Sequence, residues 1–250
     1  AKGQTRIFNP AREPEIVDLE RFLNGCGAKI SGAGSNVIMV EGVKKLHGCE
    51  FSVMPDRIEA GTFMIACAMC EGEVELKNAI AKDNESLIAK LQKTACKIYS
   101  DRDRIVVKSK GRPIAFGEIE TEVYPGFPTD LQAQMCALAS ICDGYSLIIE
   151  NLFESRFKHI GELLKMGADI KMKNGVCVVH GKEKIYGAEV TSTDLRGGAG
   201  LVLCGLVAEG YTTVRKVDLI DRGYFKLEEK LRALGGDIKR IKCEKKVGNC

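Results

Sequence analysis

One aspartate and two arginines stand where their side chains can do chemistry: Asp130, Arg196 and Arg222. Asp130 lies in Tyr124-Pro125-Gly126-Phe127-Pro128-Thr129-Asp130-Leu131-Gln132-Ala133-Gln134, where prolines and a glycine force a turning, extended chain before an apolar run at helical spacing begins. A helix start collects unpaired N–H groups and the positive end of the dipole. A carboxylate there is either an N-cap or a base held for proton transfer, and capping is the commoner role. Asp194-Leu195-Arg196-Gly197-Gly198-Ala199-Gly200 opens another helix with a cation among small residues, leaving space and N–H groups for an anion. A tightly packed, capped helix with an exposed ion pair explains that stretch equally well. Asp221-Arg222-Gly223-Tyr224 reads as the opening of the last helix, where an arginine opposes the dipole unless an anion sits beside it. Guanidinium forks grip carboxylate and phosphate in two places at once. A base with two such clamps would serve a small phosphorylated or carboxylated substrate.

Other motifs carry less. Cys67-Ala68-Met69-Cys70 has metal-ligand spacing but lies in an apolar helical run without a second pair, so it reads as core. His47, His159 and His180 are far apart and form no His-Glu-x-x-His pattern, so no metal site is expected. Gly32-Ala33-Gly34 has Val37 where a dinucleotide fingerprint needs its third glycine, and reads as a turn.

The elements that must position these residues recur. Gly27-Ala28-Lys29-Ile30, Ala95-Cys96-Lys97-Ile98, Gly167-Ala168-Asp169-Ile170 and Gly235-Gly236-Asp237-Ile238 follow one another at about seventy residues. Each ends an amphipathic helical pattern, carried by residues such as Leu87 and Leu91 or Leu227 and Leu231, and each isoleucine is expected to open a strand. Asp56, Asp130 and Asp194 each precede an Ala-, Gly- and Cys-rich helix that stops at a glycine, with a strand next. The unit reads strand, helix, strand, helix, strand, strand. Small residues on its first helix place that helix inside, with the sheets outside. Three complete units follow residue 50; the residues before it hold half a unit, which cannot bury its own apolar face.

The chain of 250 residues has 37 basic and 34 acidic side chains and no Trp, which argues against a nucleic-acid surface. It has no bilayer-length apolar run and no signal-peptide core, so a cytoplasmic location is expected. Eleven scattered cysteines, mostly in apolar segments, read as reduced thiols.

The stretches Ala11 to Asp18, Met54 to Phe63, Pro125 to Gln134, Phe153 to Phe157, Thr193 to Arg196 and Asp221 to Tyr224 resemble the UDP-N-acetylglucosamine 1-carboxyvinyltransferase type of enolpyruvyl transferase, in the EPSP synthase-like family. That resemblance implies an inside-out α/β barrel of repeated βαβαββ units, with two similar domains closing over the substrates. It implies transfer of the enolpyruvyl group of phosphoenolpyruvate to the 3'-hydroxyl of UDP-N-acetylglucosamine through a tetrahedral intermediate, the first committed step of peptidoglycan synthesis, without metal or cofactor. Asp130 then matches the proton-transfer aspartate at the sugar hydroxyl. Arg196 and Arg222 match phosphoenolpyruvate ligands, and Leu152 a largely main-chain contact to the nucleotide sugar.

Family members carry a further domain's worth of residues, including a mobile loop with a reactive cysteine that no cysteine here matches. Residues 1–52 are accordingly expected to end a first domain and residues 53–250 to form most of a second. The chain alone is expected to be inactive and to need the missing N-terminal half. The alternatives are a shikimate 3-phosphate enolpyruvyl transferase and a non-catalytic module that binds nucleotide sugar or pairs with a longer partner.

Overall fold

A computed structural model describes residues 2–241. The chain opens with β1 (Gln4–Phe8), α1 (Pro14–Gly25), β2 (Lys29–Ser31) and β3 (Val37–Glu41). Next come α2 (Arg57–Cys70), β4 (Gly72–Lys77), α3 (Glu85–Lys93), β5 (Lys97–Asp101) and β6 (Arg104–Ser109). The second stretch runs β7 (Glu118–Glu120), α4 (Gln132–Ala139), β8 (Tyr145–Ile149), α5 (Ile160–Lys165), β9 (Asp169–Lys173) and β10 (Val176–His180). The last runs β11 (Glu189–Thr191), α6 (Leu195–Val207), β12 (Thr213–Arg215) and α7 (Leu227–Ala233).

The middle stretch is a whole unit, with sheet order β7-β8-β10-β9, β7 parallel to β8 and the other pairs antiparallel. The first stretch has β4-β6-β5 without a lead-in strand, and the third has only the parallel pair β11-β12 among the described residues. The first unit therefore departs from the complete pattern by its lead-in strand, and the last strands expected of the third fall largely outside the described residues. Ile238 itself opens no strand: residues 236–241 are irregular, and whatever follows lies outside the described residues. Ile238 instead packs, half-buried, against the cluster that includes Ile220, Tyr224 and Leu227. The strand β1, which the sequence reading did not anticipate, pairs antiparallel with β3.

The helices α2, α4 and α6 form the core, as their small residues foretold. Every residue of α4 is buried, as are Gly197 to Cys204 of α6. Their partners α3, α5 and α7 bury only one face, through Leu87 and Leu91, Ile160 and Leu163, and Leu227 and Leu231. Each such side chain contributes about 1.5–3 kcal/mol by leaving water. By contrast, α1 buries none of its residues, and Phe8, Leu19, Phe22 and Val53 remain exposed. Among the described residues no helix is long and apolar enough to cross a membrane. Of the cysteines, Cys67, Cys96, Cys136, Cys142, Cys177 and Cys204 are buried thiols, whereas Cys26 lies 3.4 Å from the exposed Cys49, sulfur to sulfur.

Glycine sets the distance between α4 and α6. A Cβ at Gly200 would sit 2.9 Å from the Ala133 carbonyl oxygen and 3.2 Å from its carbon, and backbone atoms inside two packed helices cannot step aside. Gly200→Ala gains helix propensity yet is expected to destabilise the fold by about 1–2 kcal/mol, read as a lower denaturant midpoint with an unchanged slope.

Candidate active site

The three recurring aspartates divide. Asp56 caps α2, its Oδ1 accepting from the N–H groups of Ile58 at 2.8 Å and Glu59 at 3.0 Å. Asp194 caps α6 in the same way, accepting from Arg196 at 3.0 Å and Gly197 at 2.9 Å. Asp130 caps nothing. A 3-10 turn over Thr129–Leu131 precedes α4, with Pro128 in the N-cap position, so Asp130 falls inside the first turn and no side chain caps it. The capping role expected for it is therefore replaced by an ionic one. Asp130 Oδ1 accepts from Arg156 Nη2, and Oδ2 accepts from Arg196 Nη2 at 3.0 Å.

Arg196, in the first turn of α6, is the least conventional group here. Its side chain is only 12% exposed, and its guanidinium lies 5.3 Å from the centroid of the buried Tyr224 ring. Tyr224 is itself pinned, its hydroxyl 2.9 Å from Thr62 Oγ1 and accepting from Gln134 Nε2 at 2.9 Å. Burial alone would lower the Arg196 pKa, but Tyr224 and Asp130 outweigh it and hold the guanidinium above its ordinary value. Yet Nε and Nη1 are buried without hydrogen-bond partners among the described residues. Buried donors are rarely left unpaired, and on a cation they are suited to an anion.

Arg222 departs from its expected place. It ends a 3-10 turn, Val217–Arg222, and α7 starts only at Leu227. A cation at the end of a helical turn does not oppose the dipole, so position gives no argument for an anion there. Arg222 is exposed and forms no ion pair among the described residues. It still lies near the site, because a Cβ on the next residue, Gly223, would be 3.4 Å from Arg196 Nη1. Its neighbour Asp221 instead holds Arg240, the Nη1–Oδ2 distance being 2.8 Å.

Leu152 and Asp130 share an open pocket with Glu13, Arg57, Tyr124 and Thr129. At ≈ 200 Å³ it is smaller than the roughly 300–1,000 Å³ of ordinary ligand sites. Arg57 crosses from α2 to Glu15, Nε to Oε1 at 2.9 Å, and lies over the Tyr124 ring. Glu13 Oε2 is buried without a partner among the described residues. Sequence reasoning missed Arg156, Arg57 and Glu13 as site residues. Arg156 sits in an irregular turn, where periodicity is silent, and only the Phe153 to Phe157 stretch marked it.

His159 lies behind the cluster, buried, with neither ring nitrogen hydrogen-bonded among the described residues. Burial pushes its pKa down to about 4, against the pull of Asp194. Between pH 6.5 and about 4 the unfolded chain therefore binds a proton that the folded one refuses. The stability His159 allows is whole above pH 6.5 and is lost as pH falls through that window, on the order of 3 kcal/mol in all. The thermal midpoint is expected to drop between pH 7 and pH 5, and His159→Phe to reduce that drop.

The Cys67 thiol points into the core, 3.4 Å from the Val107 carbonyl oxygen, and burial raises its pKa to about 11. Among the described residues no group of three or more His, Cys, Asp or Glu side chains is placed to hold a metal ion.

The profile of the family "EPSP synthase (3-phosphoshikimate 1-carboxyvinyltransferase)" matches residues 1–231. The chain is 50% identical over 241 residues to UDP-N-acetylglucosamine 1-carboxyvinyltransferase 2 of Caldanaerobacter subterraneus, covering 96% of this chain and 58% of that protein. It is 46% identical over 242 residues to the UDP-N-acetylglucosamine 1-carboxyvinyltransferase of Shewanella piezotolerans, with 97% and 58% covered. This chain thus spans 58% of the length of these curated relatives. Among solved structures, the enolpyruvyl transferase NikO from Streptomyces tendae superposes with a TM-score of 0.86 at 25% identity, over 96% of this chain and 57% of that one. An EPSP synthase from Acinetobacter baumannii shares the fold, with a TM-score of 0.71 at 19% identity over 93% and 57%.

Proposed function

The chain belongs to the EPSP synthase family, and from that membership we propose that it forms part of an enolpyruvyl transferase acting on UDP-N-acetylglucosamine in the cytoplasm. The observation that carries the proposal is Arg196, a buried cation with two unpaired donors held against the Asp130 carboxylate. Arg196, with Arg222 beside it, takes the phosphoenolpyruvate anion. Asp130 accepts the proton of the sugar 3'-hydroxyl as its oxygen bonds to the central carbon of phosphoenolpyruvate, whose carbon–carbon π bond breaks while the methylene carbon takes a proton and becomes a methyl group. The tetrahedral adduct then loses inorganic phosphate from that carbon and a proton from the methyl group, which restores the double bond of the enolpyruvyl ether. Leu152 lines the acceptor pocket with its backbone. Relatives about half identical to this chain bear the UDP-N-acetylglucosamine name, which favours that acceptor over shikimate 3-phosphate.

In this reading residues 53–250 are most of the second domain, an inside-out α/β barrel, and residues 1–52 belong to the first. The uncovered apolar face of α1 supports a separate domain there, and the small volume beside Asp130 supports a site completed by a second surface. The test is release of inorganic phosphate by the longest polypeptide its gene encodes. Release that requires both phosphoenolpyruvate and UDP-N-acetylglucosamine is expected; release with shikimate 3-phosphate in its place would overturn the assignment.

A further inference from the structure

Glu150, directly after β8, is a buried carboxylate with no ion-pair partner among the described residues. Four neutral donors converge on it. Oε1 accepts from Thr121 Oγ1 at 2.9 Å, from the Leu152 N–H at 3.0 Å and from the Phe153 N–H at 3.2 Å. Oε2 accepts from Thr129 Oγ1 at 2.8 Å. A buried charge without a counter-ion is expensive and persists only where hydrogen bonds repay its desolvation. These four come from three separate segments. Thr121 follows β7, Leu152 lines the acceptor pocket with Phe153 next to it in the chain, and Thr129 immediately precedes Asp130.

The base of Glu150 is rigid. Its own N–H donates to the Gly175 carbonyl at 3.1 Å, the Thr121 N–H donates to the Ile149 carbonyl at 2.9 Å, and the Asn151 N–H donates to Thr121 Oγ1 at 3.0 Å. The carboxylate therefore stands on the middle sheet and reaches outward to two loops. Glutamine fills the same volume, but offers one acceptor oxygen where two are used and turns an NH2 group toward a donor.

We propose that Glu150 is a positioning residue that ties the backbone at Leu152 to the turn carrying Asp130, so that acceptor and proton acceptor are held in one register. The inference rests on the acceptor reading given above. Three segments share one anchor, and each loop loses its tie to the other when that anchor is neutralised.

The test compares the wild-type chain with Glu150→Gln and Glu150→Ala in two measurements. Amide hydrogen exchange in the free chain is expected to quicken about tenfold or more across residues 129–131 and 151–153, with β8 to β10 unchanged. Calorimetry is expected to show UDP-N-acetylglucosamine binding weakened about tenfold or more, with phosphoenolpyruvate binding at Arg196 unchanged. Unaltered exchange at both loops would overturn the proposal, and so would equal weakening of both ligands, which marks general loss of structure. If the longest polypeptide the gene encodes binds no UDP-N-acetylglucosamine, the acceptor reading is overturned, and exchange alone then decides whether Glu150 couples the loops.

Discussion

Arg196→Ala is expected to weaken phosphoenolpyruvate binding by about 10²–10⁴-fold, measured by calorimetry on the chain. The magnitude follows from the two donors that the free protein leaves unpaired. Nε and Nη1 are both buried and without hydrogen-bond partners among the described residues. A hydrogen bond to a charged group contributes about 1.5–3 kcal/mol, so two such bonds account for the loss. Arg196→Lys is expected to restore little. An ammonium is a point charge on a flexible stem, and it neither presents a two-pronged donor edge nor stacks over Tyr224 as the planar group does. The fold is expected to survive both changes, because Asp130 keeps Arg156 as a partner.

Asp130→Asn is expected to separate chemistry from anion binding. Turnover by the longest polypeptide the gene encodes should fall by about 10²–10⁴-fold, the usual contribution of a placed general base. Phosphoenolpyruvate binding should hold or tighten, because Arg196 Nη2 now donates to Asp130 and competes with any incoming anion. An amide leaves Arg196 with its full charge and a looser partner. Turnover and anion affinity falling together would mean that Asp130 does no more than organise the arginines.

How far the sequence foretold this arrangement depends on which force places each residue. Helix interiors were legible, because burial imposes a period of 3.6 residues and small side chains mark the close contact of α4 and α6. Asp56 and Asp194 were legible as caps, because capping is decided within four residues of chain. Asp130 was not separable from them by local rules: its difference comes from the Thr129–Leu131 turn and from arginines 26 and 66 residues away. Arg222 was misplaced by one element, since Asp-Arg-Gly resembles a helix start whether or not a helix follows. Arg156 and Glu150 lie at strand ends and turns, where no periodicity operates, and only contact in space shows what they hold. At Ile238 the repeat pattern continues in sequence, but the side chain packs on the cluster around Tyr224 without strand pairing among the described residues.

The central claim is that the pocket between Asp130 and Leu152 receives a nucleotide sugar. Calorimetric titration of the longest polypeptide its gene encodes, with UDP-N-acetylglucosamine and, separately, with shikimate 3-phosphate, is the deciding experiment. Heat of binding is expected with the nucleotide sugar, lost in Asp130→Ala, and none with shikimate 3-phosphate. Binding of shikimate 3-phosphate without binding of the nucleotide sugar would contradict it.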